Sequence, residues 1–298
     1  MFETRHLPVN GFEMAHWHVR CGRPGAPVVV CVHGWPETKL LYSRVVAPLL
    51  DAGFDVVVPD LRGFGESGLA PDGLYDIVSH ARDIHALVYD ALGVREVILV
   101  GGDLGGPVVQ EAALRWPGWV SRMVVFNSPL PYDKERMKGM VTRADPSTAD
   151  YFVRQGTDAD ALIAELDTPG KRIAYVEQFY GPRLWAHPGA FTAEQARMHA
   201  EPFADEAKLR ASFGNYESAF DSAKRSERPL FGRNSVTPTL VYFGTSDRVI
   251  YPDFDRMAEV VFDVIDGPHR LDGVGHFVPW EAPDVLVAGI TRFCAGPV

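Results

Sequence analysis

Val97-Ile98-Leu99-Val100-Gly101-Gly102-Asp103-Leu104-Gly105-Gly106 is the stretch on which the fold turns. Its first four residues are apolar, as a strand buried on both faces requires. From Leu104 to Arg115 the pattern is helical, and it stops before Trp116-Pro117 because the residue ahead of a proline is steered out of the helical region. One acidic side chain stands between strand and helix, with Gly101 and Gly105 two positions to either side. That spacing belongs to a strand-to-helix turn so tight that only small residues fit beside the exposed side chain. An Asp that merely caps a helix needs no such flanks. The positive end of the following helix further favours a carboxylate there.

Working outward, Val28-Val29-Val30-Cys31-Val32, Phe54-Asp55-Val56-Val57-Val58, Met123-Val124-Val125-Phe126 and Thr239-Leu240-Val241-Tyr242-Phe243 read as further buried strands. Ile77, Ala81, Ile84, Leu87, Val88 and Leu92 share one helical face between two of them. Alternation of this kind predicts an α/β fold, a mostly parallel sheet with helices on both faces. The rhythm breaks after Phe126. Residues 131–228 read as a helical, aromatic-rich cap or lid, opened by Pro129, Pro131 and Pro146 and closed by Arg228-Pro229. Residues 1–130 and 229–298 then form the core domain.

Composition narrows the function. A net charge of -10 over 298 residues excludes a nucleic-acid partner, which needs a concentrated basic surface. No apolar run is long enough for a membrane, and the first residues carry no signal-peptide pattern. Three widely spaced cysteines without a CxxC pair argue against a disulfide framework or a thiolate metal site, so a cytoplasmic chain is expected. Gly63-Phe64-Gly65-Glu66-Ser67-Gly68 fits G-x-G-x-x-G, but Leu69-Ala70-Pro71-Asp72-Gly73 follows where a dinucleotide fold must open a helix. No cofactor and no metal are expected.

Asp103 at the turn points to covalent chemistry. A carboxylate is ionised at neutral pH and attacks without a base. On an acyl carbon it would form an anhydride; on a saturated carbon it forms an ester that water can cleave. Val274-Gly275-His276-Phe277 offers a loop histidine as the base for that water. Gly244-Thr245-Ser246-Asp247 ends a strand in a carboxylate able to fix the histidine tautomer. The order Asp103, Asp247, His276 is nucleophile, acid, histidine. His33-Gly34-Trp35 after an early strand would leave the Trp35 N–H, with that of Leu104, to hold an oxyanion.

These segments, with Asp60-Leu61-Arg62-Gly63-Phe64-Gly65-Glu66-Ser67, resemble the epoxide hydrolase and haloalkane dehalogenase branch of the α/β-hydrolase fold, over nearly the whole chain. The resemblance implies an eight-stranded core with the cap inserted after the sixth strand. It also implies two cap tyrosines that hydrogen-bond an epoxide oxygen. Asp150-Tyr151-Phe152 and Gly214-Asn215-Tyr216 match those segments, with Tyr175 and Tyr180 as competitors. Catalytic roles are therefore expected for Asp103, Asp247, His276, Tyr151 and Tyr216. Pocket walls are expected from His33, Trp35, Phe179, Trp185 and Phe277. The expected substrates are a small hydrophobic epoxide and water, with a homodimer as one compatible assembly. Two rival functions are a dehalogenase and a binding protein on a retired hydrolase scaffold. Haloalkane dehalogenases usually place Trp, and haloacetate dehalogenases Arg, where this chain has Leu104.

Overall fold

A computed structural model describes residues 2–143 and 150–296; Pro146, expected to mark the start of the cap, lies outside them. Eight strands form one sheet: β1 (Arg5–Val9), β2 (Phe12–Val19), β3 (Val28–Val32), β4 (Asp55–Pro59), β5 (Val97–Gly102), β6 (Val120–Phe126), β7 (Thr239–Gly244) and β8 (Ile265–Leu271). Their spatial order is β1-β2-β4-β3-β5-β6-β7-β8. The pairs β1/β2 and β2/β4 are antiparallel and the others parallel. The central strand β5 is buried along its whole length, as its unbroken apolar run requires.

Three strands were not read from the residues. β1 and β2 form an edge hairpin on Asn10 and Gly11, both with positive φ, the backbone that a two-residue turn demands. β8 holds Gly267-Pro268 and is half-exposed, so it lacks an apolar run. A proline is tolerated there because β8 is an edge strand.

Helices α1 (Val46–Ala52), α2 (Ile77–His85) and α3 (Gly105–Arg115) follow β3, β4 and β5. α3 packs under the sheet centre with every residue from Gly105 to Ala113 buried. Between β6 and β7 come α4 (Asp150–Thr157), α5 (Ala159–Glu165), α6 (Pro169–Glu177), α7 (Ala193–Ala200), α8 (Glu206–Ser212) and α9 (Gly214–Phe220). No strand is found among the described residues of that insertion. α10 (Phe254–Val261), α11 (Val278–Glu281) and α12 (Pro283–Ala295) complete the chain. Among the described residues no helix is long and apolar enough to cross a membrane.

The loop after β4 is held by buried ions. Asp60 accepts from Lys39 Nζ at 2.5 Å and from the Glu66 N–H at 2.9 Å, while Arg62 clasps Asp83 through two nitrogens. This frame fixes His33. Its Nε2 accepts the Leu61 N–H at 3.0 Å and its Nδ1 lies 2.9 Å from the Gly34 carbonyl, so burial keeps the ring neutral and lowers its pKa. Both ring nitrogens serve the loops that end β3 and β4.

Candidate active site

The turn after β5 is built by exclusion. A Cβ on Gly101 would lie 2.5 Å from the Gly105 carbonyl oxygen, and one on Gly105 would lie 2.2 Å from that of Val32. Neither distance is tolerable, so the backbone can cross only where side chains are absent. Asp103 itself takes φ +43, a conformation uncommon for residues with a side chain. Its N–H donates to the Asn127 carbonyl at 3.0 Å, which ties the turn to the end of β6.

The result aims the carboxylate away from the sheet. Its Oδ1 accepts the Trp35 N–H at 2.7 Å, and its Oδ2 stands 3.2 Å from His276 Nε2. His276 Nδ1 lies 2.7 Å from Asp247 Oδ2. Asn127 Nδ2 donates to that same oxygen at 2.8 Å, while the other takes the N–H groups of Val249 (2.7 Å) and Ile250 (3.1 Å). Asp247 is thus fully engaged and can turn the imidazole only one way. The histidine loop is clamped from above, where the His276 N–H donates to the Trp185 carbonyl at 2.8 Å and the two rings meet edge-to-face. Burial alone would lower the His276 pKa, but Asp247 and Asp103 outweigh it and hold the ring well above its ordinary value.

Gly34 brings the β3 loop against the turn after β5. A Cβ there would lie 2.5 Å from Asp103 Oδ1 and 2.8 Å from the Leu104 nitrogen, so the β3 loop, the carboxylate and the first turn of α3 are in contact. The neighbouring Glu37 was not singled out in the sequence. It accepts the Gly34 N–H at 2.5 Å, and burial followed by the charge of Asp103 pushes it up to about 8. Asn127 was missed as well. Its only sequence signal is a polar residue at the end of a buried strand.

Opposite the carboxylate, Tyr151 on α4 and Tyr216 on α9 meet edge-to-face at 5.7 Å. Burial raises both phenols well above their ordinary value, so they remain donors. Tyr151 lies flat on the Trp35 indole at 5.5 Å, within a stack that includes Phe179 and Trp185. The competing tyrosines are engaged elsewhere. Tyr175 accepts from Gln155 at 2.8 Å, and Tyr180 donates to the Pro36 carbonyl.

A cavity of about 370 Å³ joins these groups, lined by Asp103, Leu104, Tyr151, Tyr216, Tyr251 and a largely apolar outer wall that includes Phe152 and Phe231. The five expected wall residues do not line it. His33 is absorbed by the loops described above, while Trp35, Phe179, Trp185 and Phe277 are fully buried behind Tyr151 and His276. They pack against Tyr151, which faces the cavity, and against the buried His276 ring. The Trp35 Nε1–H is turned aside to Ser212 at 3.0 Å.

A family profile described as alpha/beta hydrolase fold matches residues 27–283. The chain belongs to the α/β-hydrolase family. Epoxide hydrolase A of Mycobacterium tuberculosis is 30% identical to this α/β-hydrolase, with 93% of each chain covered. A haloalkane dehalogenase of Bradyrhizobium diazoefficiens is 34% identical, covering 99% of this chain and 94% of its own. In fold the chain is similar to the solved structure of the epoxide hydrolase CorEH, with a TM-score of 0.80 at 20% identity and 98% of each chain covered. It is a hydrolase of this family.

Proposed function

We propose that the chain is an epoxide hydrolase that forms a vicinal diol through an ester on Asp103. The observation that carries this reading is the hydroxyl pair of Tyr151 and Tyr216 in the cavity that holds Asp103. Two protonated donors opposite an anionic nucleophile suit a ring whose oxygen must leave as an alkoxide. In this reading residues 131–228 act as the cap over the core, and the apolar cavity takes a small hydrophobic epoxide.

Asp103 Oδ2 attacks a ring carbon, the carbon–oxygen bond opens, and a tyrosine proton passes to the alkoxide. Asp103 loses its charge on becoming an ester. His276 then faces one carboxylate where it faced two, its pKa falls, and its proton replaces the one the tyrosine gave. The neutral imidazole takes a proton from water as the hydroxide adds to the ester carbon. Oδ1, already on the Trp35 N–H, carries the oxyanion, with the Leu104 N–H beside it. Collapse expels the diol oxygen, which takes the proton from His276. Ionisation of the new carboxyl recharges His276, and the cycle closes with every proton accounted for.

The second reading is a dehalogenase, favoured by the 34% identical relative. A halide needs donors around it, yet Leu104 has no side-chain donor and the Trp35 indole N–H is bound to Ser212. A direct assay separates the two readings. Diol from styrene oxide with no halide from a panel of haloalkanes and haloacetates is expected. Halide release without diol would reverse the assignment.

A further inference from the structure

Tyr251 brings to the core side of the cavity a hydroxyl that the mechanism above leaves unused. The chain delivers it deliberately. Asp247 Oδ1 binds the N–H groups of Val249 and Ile250 at 2.7 and 3.1 Å, so the carboxylate that orients His276 also folds the turn ahead of Tyr251. On the other side the Phe254 N–H donates to the Tyr251 carbonyl at 3.0 Å, at the start of α10. The ring lines the same cavity as Asp103, Tyr151 and Tyr216. Burial and then the charge of Asp103 push the phenol up to about 12, which leaves it a donor at neutral pH. Among the described residues its hydroxyl has no hydrogen-bond partner.

Displacement at saturated carbon runs in line. The ring oxygen therefore departs on the side away from Asp103, toward Tyr151 and Tyr216, and the carbon's other substituents lie across that axis. Tyr251 enters the cavity from the loop between β7 and α10, not from the helices that carry Tyr151 and Tyr216, and its unengaged hydroxyl is placed to meet such a substituent. We infer that Tyr251 is a specificity-determining residue that donates to an acceptor oxygen borne on the carbon next to the epoxide ring, so that glycidyl ethers and esters are the preferred substrate class. This inference rests on the epoxide reading.

The probes are phenyl glycidyl ether and (2-phenylethyl)oxirane, which differ by one oxygen in place of a methylene. kcat/KM for each is measured with the wild-type chain and with Tyr251→Phe. The ether-to-methylene ratio is expected to fall about tenfold in the variant, the scale of one hydrogen bond, through a raised KM for the ether. Because both compounds are read on one preparation, the active fraction cancels. A ratio that survives Tyr251→Phe, or a wild-type chain that prefers the methylene compound, overturns the inference while leaving the epoxide reading intact. Hydrolysis of neither compound by the wild-type chain overturns both.

Discussion

Asp103 and Tyr151 face one cavity from opposite sides, and they are held there by different means. Asp103 is fixed by backbone: two glycines that admit no Cβ, the Asn127 carbonyl and the Trp35 N–H. Tyr151 is fixed by rings, stacked on Trp35 and edged by Phe179 and Tyr216. The first arrangement tolerates almost no change, because a carbonyl 2.2 Å from a new methyl group has nowhere to go. The second tolerates change in size and gives way gradually, since dispersion contacts are many and individually weak. Placement of Asp103 is therefore steep in its response to substitution, and placement of Tyr151 is shallow.

The largest effect expected from this contrast is at Asp103. Asp103→Ala removes the proposed nucleophile and should lower kcat/KM by about 10⁴-fold or more in a diol assay. The tyrosines share their task, so Tyr151→Phe or Tyr216→Phe alone should cost about tenfold in kcat. The double variant should cost about 10³-fold, about tenfold beyond the 10²-fold that two independent losses would give. Equal losses from one tyrosine alone and from both would mean that a single hydroxyl does the work. Thermal melts sharpen the contrast between the two sides. Gly105→Ala should destabilise by about 3 kcal/mol and Phe179→Leu by about 1 kcal/mol, and a reversed order would break the comparison.

The smallest effect concerns pH. Glu37 is raised to about 8 by burial and by Asp103. Its proton is held more tightly in the folded chain, so that contribution to stability is full below the unfolded carboxyl pKa and is lost as pH rises through about 8. Glu37→Gln cannot lose a proton. Denaturant melts at pH 5 and pH 9 should show wild type declining relative to Glu37→Gln at the higher pH, and parallel behaviour would contradict the assignment.

The same contrast explains what could be read from the residues. Gly101, Gly105 and the apolar run of β5 announce themselves because backbone geometry permits few residues. β3, β4, β6 and β7 stand out for their apolar runs, while the edge strands β1 and β8 are largely exposed or half-exposed and β2, though mostly buried, carries Glu13, His16 and His18 among its apolar residues. Within the insertion the aromatic residues were visible but their facing was not. Phe179 and Trp185 turned inward to support Tyr151, and outside the insertion Tyr251, unremarked in the loop after β7, lines the cavity with Asp103. Asn127 and Glu37 carry no pattern of their own. Their roles come from neighbours more than 60 residues away in sequence, as Asn127 meets Asp247 and Glu37 senses Asp103.

The ester on Asp103 is tested most directly by one turnover in water enriched in heavy oxygen, with enzyme in excess over styrene oxide. The first diol should carry only unlabelled oxygen, from the epoxide and from Asp103 Oδ2, and the label should appear in the peptide that contains Asp103. Full label in that first diol, with none in the peptide, would contradict the account.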